Sequence, residues 1–282
     1  MEKPLIALLS APRMGTTQVI HVLNEMTKVA NLGEWFDPRG SNFIAPPLLA
    51  ELSRHFDRPV KQRLDTELGH WAHADPERGL RLLRDTLPAT APAGIFKVFP
   101  GHLDAEKTIA HVLPFPNTRF LVVERDPLSS YISFEKGKQT GAWLLTDTTD
   151  MRIALDAREY LSYADHLSRH FTTLRAELDA RGLPWIDMRY ENDIAPGAQH
   201  LDRTLRAELG RVGLTLHPSL QAHLRMRGGP LVDTVLARLR VKTQGRRAIG
   251  LPRQDRASRP QDKISNWDAF CAEVVERTGS PP

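Results

Sequence analysis

The 282-residue chain predicts a three-layer α/β fold, with a central parallel sheet and helices on both faces. Four short runs, PLIALL (4–9), GIFKVF (94–99), TRFLVVE (118–124) and LPWIDMRY (183–190), read as buried strands. Helical patterns separate these runs, and strands alternating with helices form parallel sheets. The first run also passes directly into a short loop, SAPRMGTTQVI (10–20), that turns a strand into a helix.

That loop fits the phosphate-binding spacing G-x-x-x-x-G-K-[ST] in the register Ser10 to Thr17, with Gly15 on the second glycine and Thr17 on the hydroxyl position. Thr16 stands where the lysine would be. An ATP or GTP enzyme needs that ammonium on the β/γ-phosphates, so nucleoside triphosphate hydrolysis is disfavoured while an anion cradle remains. Arg13 supplies a cation inside the loop. A helix over about Thr16 to Val29, with Val19, Ile20, Val22, Leu23 and Met26 at helical spacing, would aim the backbone N–H groups of Gly15 to Thr17 at an anion. On this stretch alone an ordinary strand-to-helix turn fits equally well.

Residues 37–92, punctuated by Pro46, Pro47, Pro59 and Pro88, are expected to form a helical cap over the carboxyl edge of the sheet. The third run ends in VERDPLSSYISFEKGKQTGAW, where Asp126 can cap a helix and Pro127 suits its first turn. Arg125 then stands at the strand's mouth, beside Ser129, Ser130 and Ser133, and these form a second candidate anion site. A long helix is predicted from about Met151 to Arg181, striped by Leu155, Tyr160, Leu161, Ala164, Leu167, Phe171, Leu174 and Leu178 and stopped by Gly182. The span 228–263, rich in Gly, Pro, Arg and Gln, is expected to be a long mobile loop. No linker divides the chain, so residues 1–282 are expected to form one domain. Ligands of open α/β sheets sit beyond the carboxyl ends of the strands, so the turns after residues 9, 99 and 124 should converge.

Composition narrows the class. Hydrophobic content of 41% and charged content of 26% are those of a soluble globular protein. A net charge of +4, from 38 Lys and Arg against 34 Asp and Glu, suits an anionic ligand but is not the excess of a nucleic-acid binder. Cys271 is the only cysteine, which excludes an internal disulfide and fits the cytoplasm. No run reaches membrane-spanning length. His70 and His73 in HWAH, with His55, offer a weak zinc pattern without nearby cysteine.

Taken together, the motifs resemble the sulfotransferases that use 3′-phosphoadenosine 5′-phosphosulfate (PAPS). The family's P-[KR]-x-G-[TS]-[TS] loop is matched by Pro12, Arg13, Met14, Gly15, Thr16 and Thr17, and its R-x-P helix start with a serine eight residues after the arginine by Arg125, Pro127 and Ser133. GEWFDP (33–38) and QTGAW (139–143) resemble bacterial carbohydrate sulfotransferases of the trehalose type, RYENDI (189–194) the Y-E-D segment, and KISNW (263–267) the closing K-x-x-x-W element. The resemblance implies a P-loop-kinase-like sheet, PAPS as co-substrate without a metal, and a small or carbohydrate acceptor hydroxyl.

The resemblance also implies site residues. The loop would hold the 5′-phosphosulfate, while Arg125 and Ser133, with Tyr190 nearby, would hold the 3′-phosphate end. RASRPQDKISNW lacks the family's two glycines, which leaves open whether Arg256, Arg259 or Lys263 joins them. FKVFPGH places Lys97 where the family's catalytic K-T-H lysine lies, but Phe99 where its histidine would be, with His102 as a stand-in. Arg13 and Lys97 would stabilise sulfuryl oxygens. Glu34 is the first choice of base and His102 the second. Trp35, Trp71 and Trp143 could line an acceptor pocket or belong to the core. The rival functions are a nucleotide kinase on the same fold and a non-catalytic nucleic-acid binder using the basic run 238–263. A homodimer is one possible assembly.

Overall fold

A computed structural model describes residues 2–42, 44–141, 143, 147–219 and 259–282. Five strands, β1 (Leu5–Leu9), β2 (Ala30–Gly33), β3 (Gly94–Val98), β4 (Thr118–Glu124) and β5 (Trp185–Arg189), form one parallel sheet in the order β2-β3-β1-β4-β5. Every residue of β1 and β3 is buried, Lys97 of β3 included, whereas β5, expected to be buried, is an edge strand that exposes Asp187 and Arg189. The central β1 has β3 on one side and β4 on the other, with Leu9 level with Val98 and Val122. The turns leaving these three strands therefore open onto one edge.

β2 was not expected from the sequence. The first helix, α1 (Thr16–Thr27), ends two residues short of Val29 because Lys28 takes a left-handed conformation at φ 64°. That turns the chain into the short edge strand ANLG.

Right-handed crossovers fix the layers. The β1–β2 connection runs one way along the sheet, and the β2–β3, β3–β4 and β4–β5 connections run the other way, so α1 covers one face and the later helices the opposite face. α8 (Ala198–Arg211) packs on α1. Opposite them lie α4 (Pro76–Asp85), α5 (Ala105–Lys107) with a π turn at Thr108–Val112, α6 (Pro127–Thr140) and α7 (Ala157–Ala180), with α5 and α6 against α7. Between β2 and α4, residues 37–92 also form α2 (Pro46–His55) and α3 (Thr66–Ala74).

The long helix α7 begins at Ala157, where Asp156 accepts from the N–H groups of Arg158 and Glu159. The expected start at Met151 is wrong because residues 151–155 pair with the C-terminal segment instead. Ile153 donates its N–H to the Lys263 carbonyl at 2.9 Å, Ser265 N–H donates back to Ile153 at 2.8 Å, and the Asn266 amide brackets Leu155. These contacts bring Ile264 and the last helix, α9 (Trp267–Thr278), into a second apolar cluster with Leu128, Tyr131, Ile132 and Tyr160. The C-terminal KISNW segment is thereby seated beneath α6. Most of the 228–263 loop, with Arg256 and the basic run 238–258, lies outside the described residues.

Candidate active site

The loop after β1 is held from both sides. Ser10 donates its N–H to the Val98 carbonyl at 3.1 Å and its hydroxyl to the Val123 carbonyl at 2.6 Å, which ties the loop's start to β3 and β4. Met14 anchors it in the main core. Gly15 has φ +86°, and a Cβ there would come within 2.7 Å of Tyr190 Cδ2 and 3.2 Å of Ile194 Cδ1. Glycine is thus required both by conformation and by the aromatic ring pressed on it. The backbone N–H groups of Gly15, Thr16 and Thr17 donate to no described residue. With no acidic side chain in its first turn, this helix end favours an anion.

The second candidate anion site is built onto the first. Arg125, leaving β4, donates Nη1–H to the Arg13 carbonyl at 3.1 Å, and its guanidinium lies 4.3 Å from the centre of the Tyr190 ring. Its Nε is buried and meets no acceptor among the described residues. Arg13, itself at φ 71°, donates from Nε to Ser133 Oγ at 2.9 Å and from Nη1 to the Trp143 carbonyl at 2.5 Å. Burial, and then the neighbouring Arg125 charge, lower the Arg13 pKa. An anion between the two guanidiniums would offset both effects through its opposite charge. Asp126 caps α6 through Ser129 N–H at 2.7 Å, and its own N–H is taken by Glu191 Oε1 at 3.1 Å. The Tyr190–Glu191 pair therefore supports both loops.

A third group faces the loop from β2 and β3. Lys97 donates to Glu34 Oε1 at 3.1 Å and to Thr17 Oγ1 at 3.4 Å. Glu34 and Asn42 exchange backbone hydrogen bonds at 2.7 and 3.2 Å, closing a tight loop. Inside it Asp37 is fully buried and accepts from Arg39 N, Nε and Nη2 and from Asn42 Nδ2. Burial pushes its pKa up, but the hydrogen bonds from Arg39 outweigh it, and the net direction is down. His102, also buried, places Nε2 3.9 Å from Asp37 Oδ2 and packs its ring on Phe99. Burial lowers its pKa below the ordinary histidine value, so it is neutral at pH 7.

Glu34, Asp37 and His102 offer atoms within 4.8 Å of one another that could hold a metal ion. Lys97 and Arg39 pair with the two carboxylates.

The structure thus gathers Arg13, Gly15, Thr17, Arg125, Ser133 and Tyr190 in one contact network, and joins Glu34 and Lys97 to it through Thr17. Thr16 is buried at the helix start, and Pro12 sits in the same loop. Arg259 is exposed and paired with Asp262 at 2.9 Å, and no described contact links it to Arg125 or Ser133. The Lys263 carbonyl is bound to Ile153. Trp35 is fully buried against Trp71, as core. Trp143 is 40% exposed and packs on Phe134 and the bare face of Gly137. No third ligand joins His70 and His73 among the described residues. Asp37 and Glu191 were not singled out from the sequence, although both lie inside the quoted segments GEWFDP and RYENDI.

The parallel sheet with helices on both faces is a three-layer α/β fold, and its candidate anion-binding loops open onto one edge. The sequence model of the sulfotransferase family matches residues 4–206, and the chain belongs to that family. No curated protein matches the sequence significantly. Among solved structures, it is similar to a sulfotransferase from Alicyclobacillus acidocaldarius (14% identity, 100% of this chain and 98% of that one, TM-score 0.42). A sulfotransferase from Mycobacterium avium is also similar (16% identity, 98% and 76%, TM-score 0.44). The assignment rests on the sequence match. No helix among the described residues is long and apolar enough to cross a membrane.

Proposed function

We propose that this sulfotransferase takes its sulfuryl group from PAPS and transfers it, by in-line displacement, to a hydroxyl of a small or carbohydrate acceptor. The observation that carries the reading is the Arg125–Arg13–Ser133 chain of hydrogen bonds, which fastens a second cationic site to the loop at the start of α1. Two adjoining anion sites suit a nucleotide phosphorylated at both ends. The lone N-terminal site of a triphosphate enzyme would instead need a lysine at position 16.

In this reading the N–H groups of Gly15 to Thr17 hold the 5′ end, and Arg125 and Ser133 hold the 3′-phosphate. Charge grows on the bridging oxygen as the bond to sulfur breaks, and donors aimed there act mainly in the transition state. Lys97, which donates to Thr17 beside the loop, takes that role in this reading, and Arg13 shares it. Glu34 takes the acceptor's proton once Lys97 turns from the carboxylate toward the sulfuryl oxygens. His102 is the alternative base. We read the chain as one catalytic domain in the cytoplasm, with residues 37–92 as its cap over the acceptor.

Release of adenosine 3′,5′-bisphosphate from PAPS, followed across a panel of sugars and phenols, tests the reading. Acceptor-dependent release is expected. Turnover of Mg-ATP, with no bisphosphate release for any acceptor, would establish the kinase alternative.

A further inference from the structure

The turn after β2 fixes a guanidinium at the surface. Asp37 is fully buried, and its oxygens accept from Arg39 Nε at 3.1 Å, from Nη2 at 2.9 Å and from the Arg39 backbone N–H at 2.9 Å. Asn42 Nδ2 adds a contact to Asp37 Oδ2 at 3.2 Å, so the carboxylate is itself held in place. Yet the Arg39 side chain is 76% accessible. An arginine this exposed ordinarily samples many rotamers, and its surface pairs contribute little to stability. Here a buried partner grips one edge of the guanidinium, while the outward edge at Nη1 meets no acceptor among the described residues. That edge has the two-donor geometry that a carboxylate or a sulfate ester fits. Glu34 and Asp37 bring carboxylate oxygens within 4.8 Å of each other, so Arg39 stands one carboxylate away from Glu34. Lys97 holds the same Glu34 at 3.1 Å but is buried. The two cations therefore differ in access: Lys97 reaches Thr17 of the loop, and Arg39 meets solvent.

We propose that Arg39 is a specificity-determining residue, and that the acceptor carries an oxyanion, a carboxylate or a sulfate ester already in place, near the hydroxyl that receives the sulfuryl group. The inference rests on the sulfotransferase reading above, with Glu34 at the acceptor end. The oxyanion docks on the outward edge of Arg39 while the hydroxyl turns to Glu34, and a single sugar or benzene ring can bridge the two. Because Asp37 holds the guanidinium in one orientation before the acceptor arrives, little side-chain entropy is lost on binding. A neutral acceptor finds no partner for this edge and leaves it to water.

The experiment compares matched acceptors by release of adenosine 3′,5′-bisphosphate from PAPS: methyl glucoside against methyl glucuronide and methyl glucoside 6-sulfate, and phenol against 4-hydroxybenzoate. In the wild-type protein, kcat/KM should be higher for an oxyanionic member than for its neutral partner by about tenfold or more. Arg39→Ala should remove most of that ratio, and Arg39→Lys, which keeps the charge without the fork, should lower it less. A loss of stability alone lowers both members of a pair together and leaves the ratio intact. The glucuronide and sulfate arms tell which oxyanion is read. Should Arg39→Ala fail to fold, Arg39→Lys decides, since it keeps a cation beside Asp37. Preference for the neutral members, no turnover of any oxyanionic member, or an unchanged ratio in every folded variant would overturn the proposal. Binding of the bisphosphate to the wild-type protein is measured in parallel. If it does not bind, the PAPS reading falls and this inference with it; if it binds, those outcomes count against Arg39 alone.

Discussion

Arg13 Nε and Ser133 Oγ are hydrogen-bonded at 2.9 Å across 120 positions of sequence. The contact joins the loop after β1 to the second turn of α6, so the two anion sites share a member. Arg125 closes the same circuit by donating to the Arg13 carbonyl.

Arg125→Ala removes a charge-assisted donor and the support of the Arg13 peptide together. Affinity for adenosine 3′,5′-bisphosphate, measured calorimetrically, should fall by roughly 10- to 100-fold, and by about tenfold or less for Ser133→Ala. Affinity for 5′-AMP, which lacks the 3′-phosphate, should change little in Ser133→Ala. An unchanged bisphosphate affinity in Arg125→Ala would remove this residue from the site.

Gly15→Ala sets a Cβ against Tyr190 and places alanine at φ +86°. Left-handed strain and overpacking together should cost about 2–4 kcal/mol in urea unfolding. Adding Tyr190→Ala should recover the packing part but not the backbone part. Full recovery would show that the conformation itself is unstrained.

Glu34→Gln keeps the shape of the side chain but cannot take a proton. Turnover should drop by on the order of 10² to 10⁴, with bisphosphate affinity kept. Lys97→Met should also act on turnover, since its partners Glu34 and Thr17 flank the loop. If Glu34→Gln is fully active and His102→Ala is not, the base is His102.

The central strands were legible because a strand covered on both faces is largely apolar, as Leu5–Leu9 is throughout and Gly94–Val98 is but for Lys97, whereas β5 lies at the edge, burying Ile186 and Met188 and exposing Asp187 and Arg189. β2 was not legible: ANLG is four residues long, carries Asn31, and pairs on one side only, with its register shifting between Asn31 and Gly33. Local spacing marked the loop around Gly15 and the serines after Arg125. The pairings that give these residues a setting, Lys97 with Glu34 and Arg13 with Ser133, arise only when the sheet brings distant segments together. Asp37 lay in plain view in GEWFDP, but nothing local distinguishes a buried carboxylate from a surface turn anchor. The helix predicted from Met151 failed at its start because residues 151–155 find tertiary partners at Ile264 and Asn266, which no local pattern reveals.

Stability should decline on mild acidification through His170. Burial, with a smaller effect from His166, pushes its pKa down to about 4 in the folded chain. The unfolded chain binds this proton at the ordinary value of about 6.5. The contribution of the neutral ring is therefore full above that value and is lost as pH falls toward 4. Tm should drop by several degrees, roughly 5 °C, between pH 6.5 and 4.5, and His170→Phe should flatten that part of the profile. An identical profile in the variant would assign the loss to other groups.

The central claim, a site built for a nucleotide with phosphates at both 5′ and 3′ positions, is tested most directly by calorimetric titration of the wild-type protein with adenosine 3′,5′-bisphosphate, ADP and Mg-ATP. The account predicts that the bisphosphate binds at least tenfold more tightly than ADP, without added metal, and that Mg-ATP binds no better than ADP. Mg-ATP binding as tight as the bisphosphate would contradict it.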